Sequence, residues 1–284
     1  MRFFLPPLLA ALFCGCGHAP QRIVPVVEKV SMYEAVGVLR KLDAAQRKAV
    51  IAHETIAGFM DAMTMEFDVA DSETLTSLVP GDTLAFRLWV TDARSWIDHL
   101  RKTGHVAIAP LTLSGSLPPG APLPECALVD QRGEAFRLGD FKGRALAFTF
   151  IFTRCPLPDF CPLMNRNLAA VQRVLAAAPS RTNWHLLSIS FDPEYDTPAR
   201  LAEYARPYLG DGAHWTFATG ETANIQKLGE AFGVAVARDG GQIDHTLRTV
   251  VVDAAGRVQK TFIGNGWSAA ELIDEMRRAM DAKP

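Results

Sequence analysis

Two short segments of the sequence concentrate side chains that bind soft metal ions. The first contains His53 and, ten residues later, the run Met63–Met65. The second contains Cys155 and Cys161, which five residues separate. Methionine thioethers are neutral and soft, so they favour Cu(I) or Ag(I) over zinc or magnesium, whereas two cysteine thiolates either chelate copper or close to a disulfide. The residue types therefore point to soft-metal or thiol chemistry at two places in the chain.

The spacing of the methionines suits a site on a β-strand. Residues two apart on a strand share a face, so Met63 and Met65 point to one side and Thr64 to the other. Together with the imidazole of His53, two thioethers make a three-coordinate Cu(I) site. Thioethers cannot form disulfides, which suits an oxidising compartment. The alternative is that both methionines are core residues of a half-buried strand.

The cysteine pair follows an apolar run typical of a buried strand and precedes a helical pattern. Pro162 suits the first position of a helix, which places Cys161 near the helix N-terminus, where backbone N–H groups and the macrodipole favour a thiolate. Three interpretations stay open: a structural disulfide, a thioredoxin-like redox pair, and copper binding by both thiolates. A thioredoxin-like motif has two residues between its cysteines. Five residues separate Cys155 from Cys161, and two of them are proline. Cys126 stands alone in a strand-like segment and is predicted to be a small buried hydrophobe.

The elements around the first segment are predicted to be short strands. Apolar and polar residues alternate along three of them, and the fourth, 49–53, is a short β-rich run. Pro80-Gly81-Asp82 is a turn signal before the last strand. The predicted strands are 35–42, 49–53, 63–69 and 83–90. Several short strands with little helix predict a small all-β barrel.

The elements around the second segment alternate between strand and helix, which predicts a three-layer α/β sandwich. Thr197 with Pro198, and Ser268 with Glu271, are helix-start signals. The predicted strands are 145–152, 185–190, 247–253 and 258–263, and the predicted helices are 163–178, 197–209, 224–233 and 268–280.

The N-terminus is predicted to be an export signal of the lipoprotein type. The apolar run 3–13 is too short to span a bilayer, and it ends at a small-residue box with Cys16 as the expected lipidation site and Cys14 as the alternative. A Cys-x-Cys metal site is the rival interpretation. The segmentation is therefore a signal peptide at 1–16, a tether at 17–30, a first domain at 31–105, a Pro/Gly-rich linker at 106–122 and a second domain at 123–284.

Composition agrees with two globular domains. The 284 residues are 49% apolar and 21% charged, and the net charge is −2. A near-neutral chain without a basic run has no electrostatic footprint for nucleic acid, so no nucleic-acid partner is expected.

The amino-acid sequence of the first segment, from His53 to Phe67, resembles that of the CusF-like periplasmic copper and silver binders. The resemblance implies a small OB-type barrel in which His53, Met63 and Met65 bind Cu(I). The tryptophan that caps the metal in that family corresponds to a position near Met60, which makes Met60 a candidate fourth ligand or a lid.

Three motifs of the second domain resemble the Sco/SenC family in the same order: the segments 147–162, 190–198 and 243–246. The resemblance implies a thioredoxin-like fold and copper delivery to the binuclear copper site of cytochrome c oxidase. The family's two cysteines and one histidine correspond to Cys155, Cys161 and His245. Family members usually have three residues between the cysteines, so the longer loop bears on the copper affinity and redox potential of the pair.

These features predict a two-domain protein, a small all-β OB-type barrel followed by an α/β thioredoxin-like domain. We expect an exported, lipid-anchored copper metallochaperone rather than an enzyme, carrying Cu(I) or Cu(II) on the periplasmic side of a bacterial membrane. Its expected partner is the copper-site subunit of cytochrome c oxidase or another periplasmic copper protein. Two alternatives stay open: a thiol–disulfide oxidoreductase that acts on oxidase cysteines through Cys155 and Cys161, and a copper-sequestering resistance protein with no delivery partner.

Overall fold

The computed structural model describes residues 29–282 except 72, 109–115, 179, 211–213, 235–237, 240–241 and 245–246, with the backbone alone at 238–239 and 242–244. The predicted signal segment, most of the predicted tether and both candidate lipidation sites, Cys14 and Cys16, lie outside the described residues. His245 lies outside them as well.

The first domain is an antiparallel sheet, as the alternating patterns predict. Its strands are β1 (Ser31–Asp43), β2 (Lys48–His53), β3 (Met63–Asp68), β4 (Asp82–Val90) and β5 (Ser95–His105), hydrogen-bonded in the order β3-β2-β1-β4-β5. Along β4, Leu84, Phe86 and Leu88 are buried and alternate with partly exposed residues, so one face of the sheet forms the core. Strand β5 was not predicted, because charged residues crowd its second half and its pairing with β4 is irregular.

The two ends of this sheet approach each other without forming a ladder in the described residues. A single bridge joins Val69, just after β3, to Ile97 in β5, and the Ala70 N–H donates to the Ile97 carbonyl at 2.9 Å. The first domain is thus a strand-rich antiparallel sheet, and its closure into an OB-type barrel stays a prediction. A 3₁₀ helix, Thr74–Ser77, follows β3.

The described part of the second domain is a mixed sheet with four α-helices, as predicted. After β6 (Ala127–Asp130) and β7 (Ala135–Arg137), the strands are β8 (Ala145–Ile151), β9 (Trp184–Ser190), β10 (Trp215–Thr219), β11 (Arg238–Asp239), β12 (Gln242–Asp244), β13 (Arg248–Val252) and β14 (Val258–Ile263). The helices are α1 (Cys161–Ala176), α2 (Pro198–Ala205), α3 (Thr222–Ala231) and α4 (Ala269–Asp281). The sheet order is β14-β13-β8-β9-β10-β6-β7, in which β8, β9 and β10 run parallel.

Every residue of β8 and β9 is buried, which requires cover on both faces of the sheet. Helices α1 and α4 contact each other, α4 contacts β8, and α2 contacts β10. This arrangement agrees with the predicted α/β sandwich.

The predicted helix starts are confirmed by their hydrogen bonds. The Thr197 side chain accepts from the Arg200 N–H at the start of α2, where Pro198 is the first helical residue. Ser268 and Glu271 form a reciprocal capping box at the start of α4. These side chains accept hydrogen bonds from N–H groups of the first helical turn, so they fix the residue at which each helix begins.

The end of the predicted linker is attached to the second domain. The Leu117 N–H donates to the Ala231 carbonyl at 3.0 Å, and the Gly120 N–H donates to the Val258 carbonyl at 2.7 Å. The ordered second domain therefore extends upstream of residue 123.

Strand β12 of the second domain pairs with the first domain's sheet. It lies parallel to β3, with Ile243 opposite Met63 and Asp244 opposite Thr64. The backbone just before His245 in the sequence is thereby hydrogen-bonded to the strand that carries Met63 and Met65. No pattern in the sequence predicts this pairing, because β12 is only three residues long.

Candidate metal centre

The antiparallel pairing of β2 and β3 brings the predicted first-domain ligands to one face of the sheet. His53 lies directly opposite Met63, and Ile51 lies opposite Met65. Directly opposite residues, and residues two apart on one strand, point to the same side. His53, Met63 and Met65 are all buried, at 0%, 3% and 1% exposure. The structure therefore groups these three side chains.

The surroundings of His53 favour a neutral imidazole ring with its lone pair on Nε2. Its Nδ1 lies 2.7 Å from the Glu54 carbonyl and donates to it, so the lone pair of the neutral ring is on Nε2. Burial lowers the pKa of His53 and outweighs the hydrogen bond to Glu54, so the ring is uncharged at neutral pH. The donor set of one imidazole and two thioethers fits Cu(I).

Met60 lies in the turn before β3 and is placed by a bridge to Ile56. It is 8% exposed and, with Met63, lines a cavity of about 410 Å³ at the domain boundary. Its position near the candidate site is compatible with both predicted roles, a fourth ligand or a lid.

The cysteine pair occupies the loop from β8 to α1. Helix α1 begins at Cys161 with Pro162 in its first turn, as predicted. Both cysteines are free thiols, with Cys155 half-buried and Cys161 buried. The two side chains hydrogen-bond to each other, so the two sulfurs lie close together. Two thiolate sulfurs are a donor set that suits Cu(I).

The two thiols of the pair have opposite pKa shifts. Burial raises the pKa of both thiols, but hydrogen bonds from the side chain and backbone of Cys161 outweigh burial at Cys155 and lower its pKa. The pKa of Cys161 is raised well above its ordinary value, by burial first and then by the hydrogen bond and charge of Cys155. The expectation of a Cys161 thiolate at the helix N-terminus is therefore wrong, because full burial there outweighs the helix dipole.

Four hydrogen bonds to Asp159 and its neighbour Pro158 fix the long loop between the cysteines. The Asp159 carboxylate accepts from the Ser95 N–H at 2.8 Å and from the Ser95 hydroxyl at 2.9 Å. Its backbone carbonyl accepts from the Asn265 side chain at 3.0 Å, and the Pro158 carbonyl accepts from Arg166 at 2.7 Å. The two extra residues of the loop thus belong to an ordered, anchored segment.

Arg154, next to Cys155, forms ion pairs with both domains. It donates to Asp192 at 2.7 Å and to Asp61 of the first domain at 3.1 Å, and its guanidinium lies 4.2 Å from the centroid of the Tyr195 ring. Asp192 therefore contacts the cysteine segment through Arg154, the residue that precedes Cys155.

Local sequence patterns do not predict the residues that join the domains, Ser95, Asp61, Arg154 and Asp159. The one available signal was Asp159, the single charged residue between the two cysteines. Cys126 is buried as predicted, and burial raises its pKa to about 11. Within the described part of the chain, no three His, Cys, Asp or Glu side chains form a metal-binding group.

Family models match both domains. The SCO1/SenC model matches residues 122–281, which include the cysteine pair and more than half of the chain. The chain belongs to the SCO1/SenC family. A second model, "Copper binding periplasmic protein CusF", matches residues 32–102, which include His53 and both β3 methionines. Copper is the metal of both families.

Curated SCO1/SenC relatives align with the second domain. The Protein SCO2 homolog, mitochondrial, of Homo sapiens is 29% identical over 158 residues, covering 55% of this chain and 58% of the relative. The SCO1 protein homolog of Bacillus subtilis is 30% identical over 159 residues, covering 54% of this chain and 80% of the relative. The chain spans only 58–61% of the length of the mitochondrial relatives it matches.

Solved SCO1/SenC structures give the same thioredoxin-like fold for the second domain. A SCO1/SenC family lipoprotein from Bacillus anthracis matches with a TM-score of 0.50 and 25% identity, over 59% of this chain and 100% of that one. BsSco, described as having a disulfide switch and as a member of the Sco family of cytochrome c oxidase assembly proteins, matches with a TM-score of 0.50 and 26% identity, over 59% and 98%.

No helix among the described residues of this SCO1/SenC protein is both long and apolar enough to cross a membrane.

Proposed function

We propose that this protein is a periplasmic, membrane-tethered copper metallochaperone that supplies the binuclear copper site of cytochrome c oxidase. The observation that carries the proposal is the free, mutually hydrogen-bonded pair Cys155 and Cys161 at the start of α1 in a SCO1/SenC domain. Lipidation of Cys16 provides the tether, and a CusF-like OB-type barrel provides a second copper site.

In the second domain, two thiolates hold Cu(I), and His245 completes the ligand set for Cu(II). Cys155 ionises first, since its pKa is lowered, and the proton of Cys161 is displaced when copper binds. In the first domain, His53 Nε2 and the thioethers of Met63 and Met65 hold Cu(I).

Copper titration tests both sites. The full chain is expected to bind two Cu(I) in competition with a chromogenic chelator. Replacing both Cys155 and Cys161 by Ser removes one Cu(I), and replacing both Met63 and Met65 by Leu removes the other. Cys126→Ser is the matched control and leaves the stoichiometry at two. Unchanged stoichiometry in the double-serine variant contradicts the cysteine site.

Cells test delivery. A strain lacking the protein is expected to lose oxidase activity and oxidase-bound copper at low copper supply, and both should return with the wild-type gene but not with the double-serine variant. Normal oxidase activity together with raised copper sensitivity contradicts delivery and favours sequestration.

Cys16→Ala is expected to abolish incorporation of labelled fatty acid and to release the protein from the membrane fraction.

A second function, thiol–disulfide exchange with oxidase cysteines, is favoured by the opposite pKa shifts of the two thiols. A half-buried cysteine with a lowered pKa can attack a disulfide, while its buried partner resolves the mixed disulfide. Turnover of a disulfide substrate that persists in His245→Ala supports this function. Loss of turnover in that variant contradicts it, because the exchange does not use a metal ligand.

A further inference from the structure

The cavity at the domain boundary is lined from both sides by residues next to the candidate ligands. The first domain contributes Met60 and Met63, and the second contributes Phe152 and Arg154. The Phe152 carbonyl accepts the Cys155 N–H at 3.3 Å, and Arg154 directly precedes Cys155 in the sequence, so the second domain's side of the cavity is formed by the segment that leads into the cysteine pair. Both methionines are buried, and both line this cavity.

Among the described residues, three sets of contacts across this boundary involve segments that carry candidate ligands. Ser95 donates to Asp159, which lies between the two cysteines. Arg154, beside Cys155, pairs with Asp61, which lies between Met60 and Met63 in the sequence. Strand β12 extends the ladder of β3. Segments that carry candidate ligands therefore take part in the docking of the two domains.

We propose that Cu(I) passes directly from the thioether site to the cysteine pair within one chain, through this cavity, with Met60 as the intermediate ligand. The inference rests on the proposed function and adds a route to it. The bonds from copper to His53, Met63 and Met65 break as bonds to the two cysteine sulfurs form. Copper stays Cu(I), no electron is transferred, and each cysteine that enters as a thiol gives its proton to water.

The direction follows from the charge of the ligands. A thiolate is an anionic soft donor and a thioether is a neutral one, so Cu(I) is held more tightly by the cysteine pair. Two docked sites meet at an effective concentration of roughly 1 mM, so at about 10 µM protein, transfer within one chain is expected to be about 100-fold faster than transfer between chains.

The experiment begins with the full chain in which Cys155 and Cys161 form a disulfide and one equivalent of Cu(I) is bound. Bicinchoninate is added at a concentration that removes little copper from this oxidised form, and a phosphine then reduces the disulfide. Released copper forms the coloured bicinchoninate complex, whereas copper on the cysteine pair blocks alkylation of both thiols.

The comparison sample carries the same two sites on separate chains. Its donor has both cysteines replaced by Ser and is loaded with Cu(I), and its acceptor has Met63 and Met65 replaced by Leu. In wild type, most of the copper is expected to reach the cysteines, in a fraction independent of protein concentration. In the separated mixture, most of it is expected to be trapped. Equal trapping in the two samples overturns direct transfer.

Met60→Leu tests the intermediate ligand, with Met276→Leu, in the core of α4, as the matched control. Met60→Leu is expected to raise the trapped fraction several-fold, and the Cu(I) affinity of the first site is measured on the same variant. Unchanged trapping overturns the role of Met60 in transfer, and a loss of first-site affinity makes it a resident ligand instead. If the oxidised chain holds no Cu(I), both the thioether site and the relay fail, while copper binding by the reduced cysteines would still stand.

Discussion

Ser95 in strand β5 donates two hydrogen bonds, from its backbone N–H and its hydroxyl, to the carboxylate of Asp159 in the cysteine loop. The two residues are 64 positions apart in the sequence and belong to different domains. Asp159 is 7% exposed, and burial raises the pKa of its carboxyl in spite of the hydrogen bonds. A buried carboxylate that loses a donor keeps its desolvation cost, so this contact contributes to the attachment of the two domains.

We expect Ser95→Ala to lower the free energy of unfolding by about 2 kcal/mol, because the hydroxyl donates to a buried charged group. Urea denaturation of the full chain measures the change. Ser77→Ala is the matched control, since the Ser77 hydroxyl also donates a hydrogen bond, to the Thr74 carbonyl, but at an exposed site. The control is expected to change stability by less than about 0.5 kcal/mol. Equal effects of the two substitutions would show that the contact adds no stability.

Met63→Leu separates packing from metal binding. Leucine is close to methionine in volume, so the free energy of unfolding is expected to fall by less than about 1.5 kcal/mol. Cu(I) affinity of the first site is expected to fall at least about tenfold, because one of three soft ligands is lost. Competition with a Cu(I) chelator measures the affinity. A loss of stability with unchanged affinity would make Met63 a core residue only.

The two thiols of the pair are expected to react at different rates. Cys155 has a lowered pKa and is half-buried, whereas Cys161 is buried with a raised pKa. Iodoacetamide at neutral pH should therefore modify Cys155 first in the reduced, metal-free chain. Peptide mass spectrometry at successive times identifies the order. Cys155→Ser should remove the fast phase and Cys126→Ser should leave it in place; fast modification of Cys161 would contradict the ionisation order.

Protonation of Asp82 is expected to lower the free energy of unfolding at acidic pH. The Lys102 ammonium, the Val79 N–H and the His105 ring hold the pKa of its carboxyl at about 2, below the ordinary value of 3.8. Because the folded pKa is the lower one, the stabilisation is fully present above about pH 4 and is lost as the pH falls towards 2.

The corresponding variant is Asp82→Asn, which removes the titrating group. The free energy of unfolding of the wild type should exceed that of the variant at pH 7, and the difference should shrink between pH 4 and pH 2. Asp92→Asn, at an exposed turn between β4 and β5, is the control. A difference that is constant with pH would show that the pairing of Asp82 does not depend on its charge.

Local sequence patterns predicted most of the elements that position the two sites. Alternation predicted β1, β3 and β4, a short β-rich run predicted β2, and the continuous apolar run predicted β8. The capping residues Thr197 and Ser268 marked two helix starts. These predictions succeed because each depends on side chains within a few positions of one another. Strand β10 was missed, because its five residues have no regular alternation.

The order of cysteine ionisation could not be predicted in the same way. The helix N-terminus is visible in the sequence through Pro162, but the complete burial of Cys161 depends on how α1 packs on the sheet. Desolvation then outweighs the dipole. Likewise, the pairing of His53 with Met63 follows from strand register, which the turn between β2 and β3 and the packing of the core set together.

The sequence by itself determined the soft character of the ligands, the two-domain order and the strand–helix setting of the cysteines, because residue type and local periodicity encode them. Only the tertiary structure decided that the two ligand segments meet at one boundary. The bonds that create this boundary, between Ser95 and Asp159, between Asp61 and Arg154, and between β3 and β12, join residues far apart in the chain. No periodic pattern in the sequence predicts such contacts, since they arise from the docking of two complete domains.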